Sequence, residues 1–552
     1  MGALAAPNEV KNGTTDAEMA GMTKKQIAAM ERNRRIDAEL DEQLAKNPDA
    51  MPRAVWFILP NEFGERFCFY GLKAFLFRYL IYIGNSEVSA KTMTHTWQMV
   101  TYFCPLFGAA ICDSYLGKYR TIVWLSLLYL IGNIVLTVTS IPALRSNWTV
   151  LLGLYLIGFG TGGIKPCVSP LGGDQFRPTQ QNAIRRFFSL FYLSINAGSV
   201  LSGFIAPQVK DGFGCFGDEI KSEDPSIPSQ PMCYFAGYML PTVVFAIATA
   251  VFIFGHNHYK LVPPAGDFVP GHMFFAIIDT VKNYFSASAE EKAKHSFWSF
   301  GAARYGKQFA EDTGEFMRML LMVFPFSFVW MVYEQQSTEW SDQYDQMDTY
   351  WGSVRLSPEV WIAIVNPVLV VILVYVLSTW VYPFIERRGV AVTPLRRMSI
   401  GGILVALGFL ISAFLQYEVH SNYQGTKDKN GLTLPESCKG KCLHGSWQLP
   451  QWVILSLGES LFSPTGSEFA YTQVAESMRA FSTSFWLLMV SLGDFYVVAV
   501  ESGLKGQEWA EGKNAPNKYF LYTGISLLAN VWFIFMARNY KYRPGSMTTL
   551  EK

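Results

Sequence analysis

Charge is scarce in this chain. Only 16% of its 552 residues are Asp, Glu, Lys or Arg, and 45 basic residues nearly cancel 44 acidic ones, leaving a net charge of +1. That balance gives no overall field to attract a nucleic acid. A cleavable signal peptide is not expected either. Residues 1–50 are polar and charged, and the first apolar stretch is too long for a signal h-region. What the chain has instead is apolar bulk: 50% hydrophobic residues, 15% aromatic, with 42 Phe, 27 Tyr and 15 Trp. Those aromatic counts are high for a soluble protein. The mean hydropathy of +0.17 is modest because long polar loops dilute the apolar segments.

Stretches of about 20 apolar residues, the length that crosses a bilayer, occur twelve times. They lie near 54–83, 91–112, 121–143, 149–170, 187–208, 234–256, 317–336, 358–383, 398–418, 450–471, 480–500 and 519–538, and are called segments 1 to 12 here. The reading is an all-α membrane protein. Six segments, a long connection and six more is the layout of a two-half transporter. The expected division is a tail at 1–50, a first bundle at 51–256, a linker at 257–316, a second bundle at 317–540 and a short tail at 541–552.

Lys and Arg counting orients it. The tail carries Lys24, Lys25, Arg32, Arg34 and Arg35. The 2–3 loop carries Lys118 and Arg120, the 4–5 loop Arg177, Arg185 and Arg186, and the 8–9 loop Arg387, Arg388, Arg396 and Arg397. All share one side if both termini are cytoplasmic. The opposite loops lean acidic, as at Asp342, Asp345 and Asp348. The same topology puts the glycosylation tripeptide at Asn147 outside. Cys215, Cys233, Cys438 and Cys442 then fall in outer loops, where two disulfides are expected; zinc ligation is the rival. Cys68, Cys104, Cys112 and Cys167 sit in apolar segments as reduced packing residues.

The linker opens with KLVPPAGDFVPG, read as extended chain, followed by a charged stretch from Ser286 read as a helix on the cytoplasmic surface. The tail stretch TKKQIAAMERNRRIDAELDEQLAK is charged on most faces and reads as solvated or partly disordered.

Segment 1 reads NEFGERFCFYGLKAFLFRYL and holds Glu62, Glu65, Arg66 and Lys73. Each charge in mid-membrane costs roughly 2.5–3.5 kcal/mol unless paired or facing water. Glu62, Arg66, Phe69 and Lys73 recur at helical spacing, with Glu65 beside them, so one face carries both signs of charge. Three other stretches put polar groups at membrane depth. Segment 4, IGFGTGGIKPCVSPLGGDQF, places Lys165 between a glycine run and Pro166. Segment 5, FFSLFYLSINAGSV, holds Asn196. Segment 10, WVILSLGESLFSPTGSEFAY, holds Glu459. Glycines permit close helix approach and proline loosens the backbone, so Lys165 can reach a cavity.

The 2–3 loop, GAAICDSYLGKYRT, resembles the loop signature of the major facilitator superfamily, with Gly108 and Gly117 for a tight turn. Asp113 is expected to cap a helix and pair with a base across an inner gate. Glu62-x-x-Glu65-Arg66-Phe67, Tyr70-Gly71, GTGGIKPCVSPLGGDQF and FFSLFYLSINAGSV together resemble the proton-dependent oligopeptide transporters over about 52–540. The resemblance implies the two-bundle fold of the major facilitator superfamily and alternating-access import of di- and tripeptides with protons. It implies no cofactor beyond the coupling proton and no catalytic residue. The large external domain that some animal members carry between segments 9 and 10 is absent.

By the same resemblance, Arg66, Lys73 and Lys165 attend the peptide carboxylate. Glu459 receives the amino group, and Asn196 and Asn366 bind the ends and backbone. Tyr70, Tyr102, Trp330 and Trp486 match pocket aromatics. His95 matches a proton-coupling histidine, alongside Glu62, Glu65, Arg66, Lys165 and Glu459. Arg318 matches an arginine that pairs with an aspartate on segment 8, where this chain has Ser378. The expected partners are short peptides, protons and lipid. The protein is expected to act as a monomer, in the plasma membrane or an endolysosomal one. A small-anion transporter such as one for nitrate, a non-transporting nutrient receptor and a membrane enzyme are the rival readings. The intact Glu-x-x-Glu-Arg argues against the first, and the lack of any His- or Asp-based catalytic motif against the last.

Overall fold

The computed structural model describes residues 24–177, 179–212, 233–264, 268–427, 433–475, 478–510 and 516–543. Among these, nine helices are long and apolar enough to cross a membrane, and a tenth span, Lys307–Val323 with Phe326–Asp345, passes as a pair bent by 43°. The break falls at Pro325, which cannot donate to the helix ladder. The two expected spans that fall short are Val55–Tyr82 and Leu449–Thr472, at 28 and 24 residues. They are as long as their neighbours but diluted by the polar residues singled out above. With them, the twelve expected segments are all present as helices.

In chain order the other spans are Glu87–Leu116, Lys118–Thr139, Asn147–Gly173, Arg186–Gly212, Cys233–His258, Pro358–Arg387, Pro394–Ser421, Phe481–Leu504 and Pro516–Arg538. The core divides into two large buried clusters, one within segments 1–6 and one within segments 7–12. Lipid gives helices no hydrophobic reason to pair, so small residues set the contacts. Gly401 and Gly458 show this: a Cβ on either would lie 2.7 Å from the other's carbonyl oxygen. Gly108 meets Gly163 in the same way, with a Cβ 2.3 Å from the Gly163 oxygen. That corrects the loop reading. Gly108 is a packing residue inside the helix Pro105–Ile111, while Gly117, with φ 73°, makes the turn.

Two peripheral readings also change. The tail forms a helix, Lys24–Lys46, docked on the first half. Asn33 exchanges two hydrogen bonds with the Leu261 backbone, Asp37 meets Lys260 at 3.1 Å, Asp41 meets Arg177 at 3.0 Å, and Leu40 is buried. Its charges are matched by residues far away in sequence, so the helix alone looked solvated. In the linker the long helix is Val269–Ser286, earlier than expected, and the charged stretch after it breaks into short turns. Its Phe274, Phe275, Ile278 and Phe285 are exposed. A two-stranded ribbon, Tyr350–Trp351 with Val354–Arg355, caps the 7–8 connection.

Candidate substrate and proton site

The end of the helical body that carries the helix Lys24–Lys46 and the contacts of Arg543 with the start of the helix Lys307–Val323 is called the terminal face here. Among the described residues, the ion pairs that join the two halves lie in the middle or toward the opposite face. Arg78 meets Asp345 at 2.8 Å, and Lys210 meets Glu359 at 3.0 Å. Lys91 and Lys518 both hold Glu339, at 2.8 and 2.7 Å. Deeper in, Lys73 meets Glu334 at 2.8 Å. Nearer the terminal face the described pairs stay within one half, as with Lys118–Asp174 at 2.5 Å and Arg397–Glu468 at 3.6 Å. The halves are therefore strapped together at one end.

Segment 1 carries the centre of the site. Helical spacing lets the Arg66 Nε donate to Glu62 at 2.7 Å while lying 3.1 Å from Glu65. Both carboxylates are 2% exposed. Glu65 also accepts the Thr161 hydroxyl from segment 4. Three of the four charges on this helix are thus paired within it, as their spacing required. Lys73, expected at the peptide carboxylate, is committed to Glu334 instead.

Lys165 stands differently. Its ammonium lies over the rings of Tyr102 and Phe69, at 4.1 and 4.5 Å. No carboxylate pairs with it among the described residues. Aromatic faces hold a cation without neutralising it. Across in the second half, Glu459 accepts the Asn366 amide at 2.8 Å and is hydrogen-bonded by Tyr333. Asn366 is steadied by Ser456 at 3.2 Å. Glu459 has no basic partner among the described residues. Trp330, Tyr333, Phe462 and Trp486 wall that side, with Trp330 5.0 Å from Tyr333 and 5.1 Å from Phe462 between centroids. Tyr70 packs its edge on Phe69.

Other expected residues fall elsewhere. Asn196 gives its amide to the Tyr192 carbonyl of its own helix, at 2.8 Å. Asp113 is exposed in a π-turn without an ion pair among the described residues, because the turn at Gly117 sends Lys118 to Asp174. Arg318 donates to Gly314, and Ser378 bonds the Val374 carbonyl at 2.7 Å in a π-helical turn, so this conformation does not bring the two together. Cys438 and Cys442 form a disulfide; Cys215 lies outside the described residues, and its expected partner Cys233 opens the helix of segment 6 as a bonded, not free, cysteine. Asn147 is exposed and exchanges hydrogen bonds with Asn85. His95 is buried between the halves rather than at an interface with water.

Glu334, Asp494 and the acids and bases strapping the far face were not anticipated. Asp494 could have been: it is an acid in an apolar run, the same signal that exposed Glu459.

The POT family model matches residues 119–505. The chain belongs to the POT family. It is 35% identical over 375 residues to solute carrier family 15 member 2 of Mus musculus, covering 67% of this chain and 49% of that protein. Peptide transporter family 1 of Drosophila melanogaster is 34% identical over 400 residues, covering 72% and 52%. The chain thus spans about half the length of the animal relatives it matches. The crystal structure of the POT family transporter PepTSo superposes with a TM-score of 0.72 at 25% identity, over 89% of this chain and 99% of that one. A crystal structure described as an auto-inhibited POT family peptide transporter gives 0.72 at 24%. The fold is that of these transporters.

Proposed function

We propose that this protein is a proton-coupled importer of di- and tripeptides working by alternating access. One observation carries the reading. Lys165 on the first half and Glu459 on the second have no ion-pair partner among the described residues, while Glu62, Glu65, Arg66, Lys73 and Glu334 around them are paired. A zwitterionic peptide supplies the missing partners, its carboxylate to Lys165 and its amino group to Glu459. Binding then bridges the halves, which is what a substrate must do to bias their arrangement. Arg66 lies on the same side as Lys165 and adds a second cation when its acids take protons.

With the basic loops and both termini in the cytoplasm, the strapped face is the outer one, and this conformation is closed to the outside. The plasma membrane is the location proposed, with the protein acting as a monomer. Proton entry at Glu65 would loosen Arg66, leaving it to Glu62 alone, and loss of that proton would restore the second contact. The Drosophila melanogaster relative, named peptide transporter family 1, supports the substrate class. The test is uptake of labelled dialanine into vesicles at acidic and at neutral outside pH, with nitrate as competitor. Accumulation driven by the acidic side is expected, without competition by nitrate. Binding without accumulation would favour a receptor.

A further inference from the structure

His95 and Asp494 are both 0% exposed, and Nδ1 lies 2.8 Å from Oδ1. They come from opposite halves, on segments 2 and 11. The other imidazole nitrogen meets the Thr338 hydroxyl of segment 7 at 3.0 Å. Gln98 reaches the same Asp494 oxygen at 3.4 Å. Asp494 Oδ2 is buried without a hydrogen-bond partner. The charged groups acting on the pair are Lys73 of segment 1, Lys91 of the His95 helix, and Glu334 and Glu339 of segment 7. These already match one another, Lys73 with Glu334 and Lys91 with Glu339. The charge of Asp494 is left for His95 to balance.

Counting protons decides what the pair can do. With one shared proton it is neutral overall, whether written as imidazolium and carboxylate or as imidazole and acid. With none it is a buried anion, and with two a buried cation. An unbalanced charge at that depth is costly, so the closed face calls for a single proton. When the halves part, both side chains meet water, and a solvated histidine titrates in the physiological range.

We infer that Asp494 is a proton-coupling residue, which with His95 takes up one proton when the far face closes and unlatches that face when the proton leaves. The proton comes from water on the far side and is held between Nδ1 and Oδ1. Its departure to water on the terminal side leaves neutral imidazole beside carboxylate, a buried anion whose need for water favours parting of the halves. The inference rests on the proposed proton-coupled import and adds a proton site separate from Glu62, Glu65 and Arg66.

The test uses the full chain in liposomes with labelled dialanine, comparing wild type, Asp494→Asn, Asp494→Glu and the His95→Gln/Asp494→Asn double variant. Three quantities are read: uptake against outside pH, protons moved per peptide from the gradient at which flux reverses, and gradient-free exchange. Asp494→Asn is expected to exchange peptide still, to flatten the pH profile and to move one proton fewer per peptide. Asp494→Glu should recover the pH response, and the double variant should match Asp494→Asn alone. An unchanged proton ratio and pH profile in Asp494→Asn would overturn the inference. So would loss of exchange in both Asn variants, which would make the pair structural. Wild-type vesicles that take up no dialanine would instead overturn the transport reading, and the inference with it.

Discussion

Lys73 and Glu334 meet at 2.8 Å across the boundary between the two halves, with the acid almost fully buried. Removing one partner strands the other charge. Breaking a buried pair this way costs about 3–5 kcal/mol. Glu334→Gln and Lys73→Gln should therefore each weaken closure of the far face, and the double variant should recover part of the loss. A double-mutant cycle on dialanine uptake checks this. Additive single effects would mean the pair contributes no coupling.

Glu459 is expected to recognise the free amino terminus. Its described hydrogen-bond partners, Asn366 and Tyr333, are neutral. Glu459→Gln should reduce uptake of ordinary dipeptides far more than that of N-acetylated ones. Equal losses for the two substrates would remove the assignment.

Lys165 should be intolerant of change. Lys165→Ala is expected to abolish driven uptake at matched surface expression. Lys165→Arg should rescue only in part, because a planar fork does not present its charge to a carboxylate at the reach and geometry of the Lys165 point charge. Wild-type uptake in either variant contradicts this role.

Glu65→Gln should end accumulation driven by a pH gradient while some peptide exchange continues. The Arg66 contact would keep its Glu62 arm but lose its second acid. Retained accumulation would refute a proton role for Glu65.

Arg318 and Ser378 are apart in this conformation, so any contact between them belongs to the state in which the terminal face closes. Ser378→Asp should favour that state and slow the return step, with Arg318→Ala cancelling the effect. Uptake rates for both singles and the double decide it; no coupling between them would leave Ser378 a π-turn residue only.

Much of the site was legible because membrane depth makes charge conspicuous. Glu62, Glu65, Arg66, Lys165 and Glu459 stand out against apolar neighbours, and helical spacing alone told that Arg66 would find its acids. Lys73 shows the limit. Its partner Glu334 lies 261 positions away, near the end of a segment where an acid attracts no notice. The strapping acids Glu339 and Glu359 sit at helix starts, where acidic residues are common for reasons of their own. The tail helix was misread for a related cause: its counter-charges, Arg177 and Lys260, come from the 4–5 loop and from the start of the linker. Asn196 lay in a matching motif, but its local carbonyl was the nearer acceptor.

The docked tail has a practical consequence. The ion pairs and hydrogen bonds of the helix Lys24–Lys46 described above reach Arg177 of the first half and Lys260 and Leu261 just after its last helix, whereas Arg543, past the last span, meets Asp312 and Glu315 in the helix Lys307–Val323 that opens the second half. The helix Lys24–Lys46 on one side and Arg543 on the other thus give each half its own handle at the terminal face. A fluorophore on the tail helix and another near Arg543 would form a ruler across the moving seam, touching neither the peptide nor the proton groups. Its reading should shorten each time the terminal face shuts, turning the two ends of the polypeptide into a clock for the transport cycle.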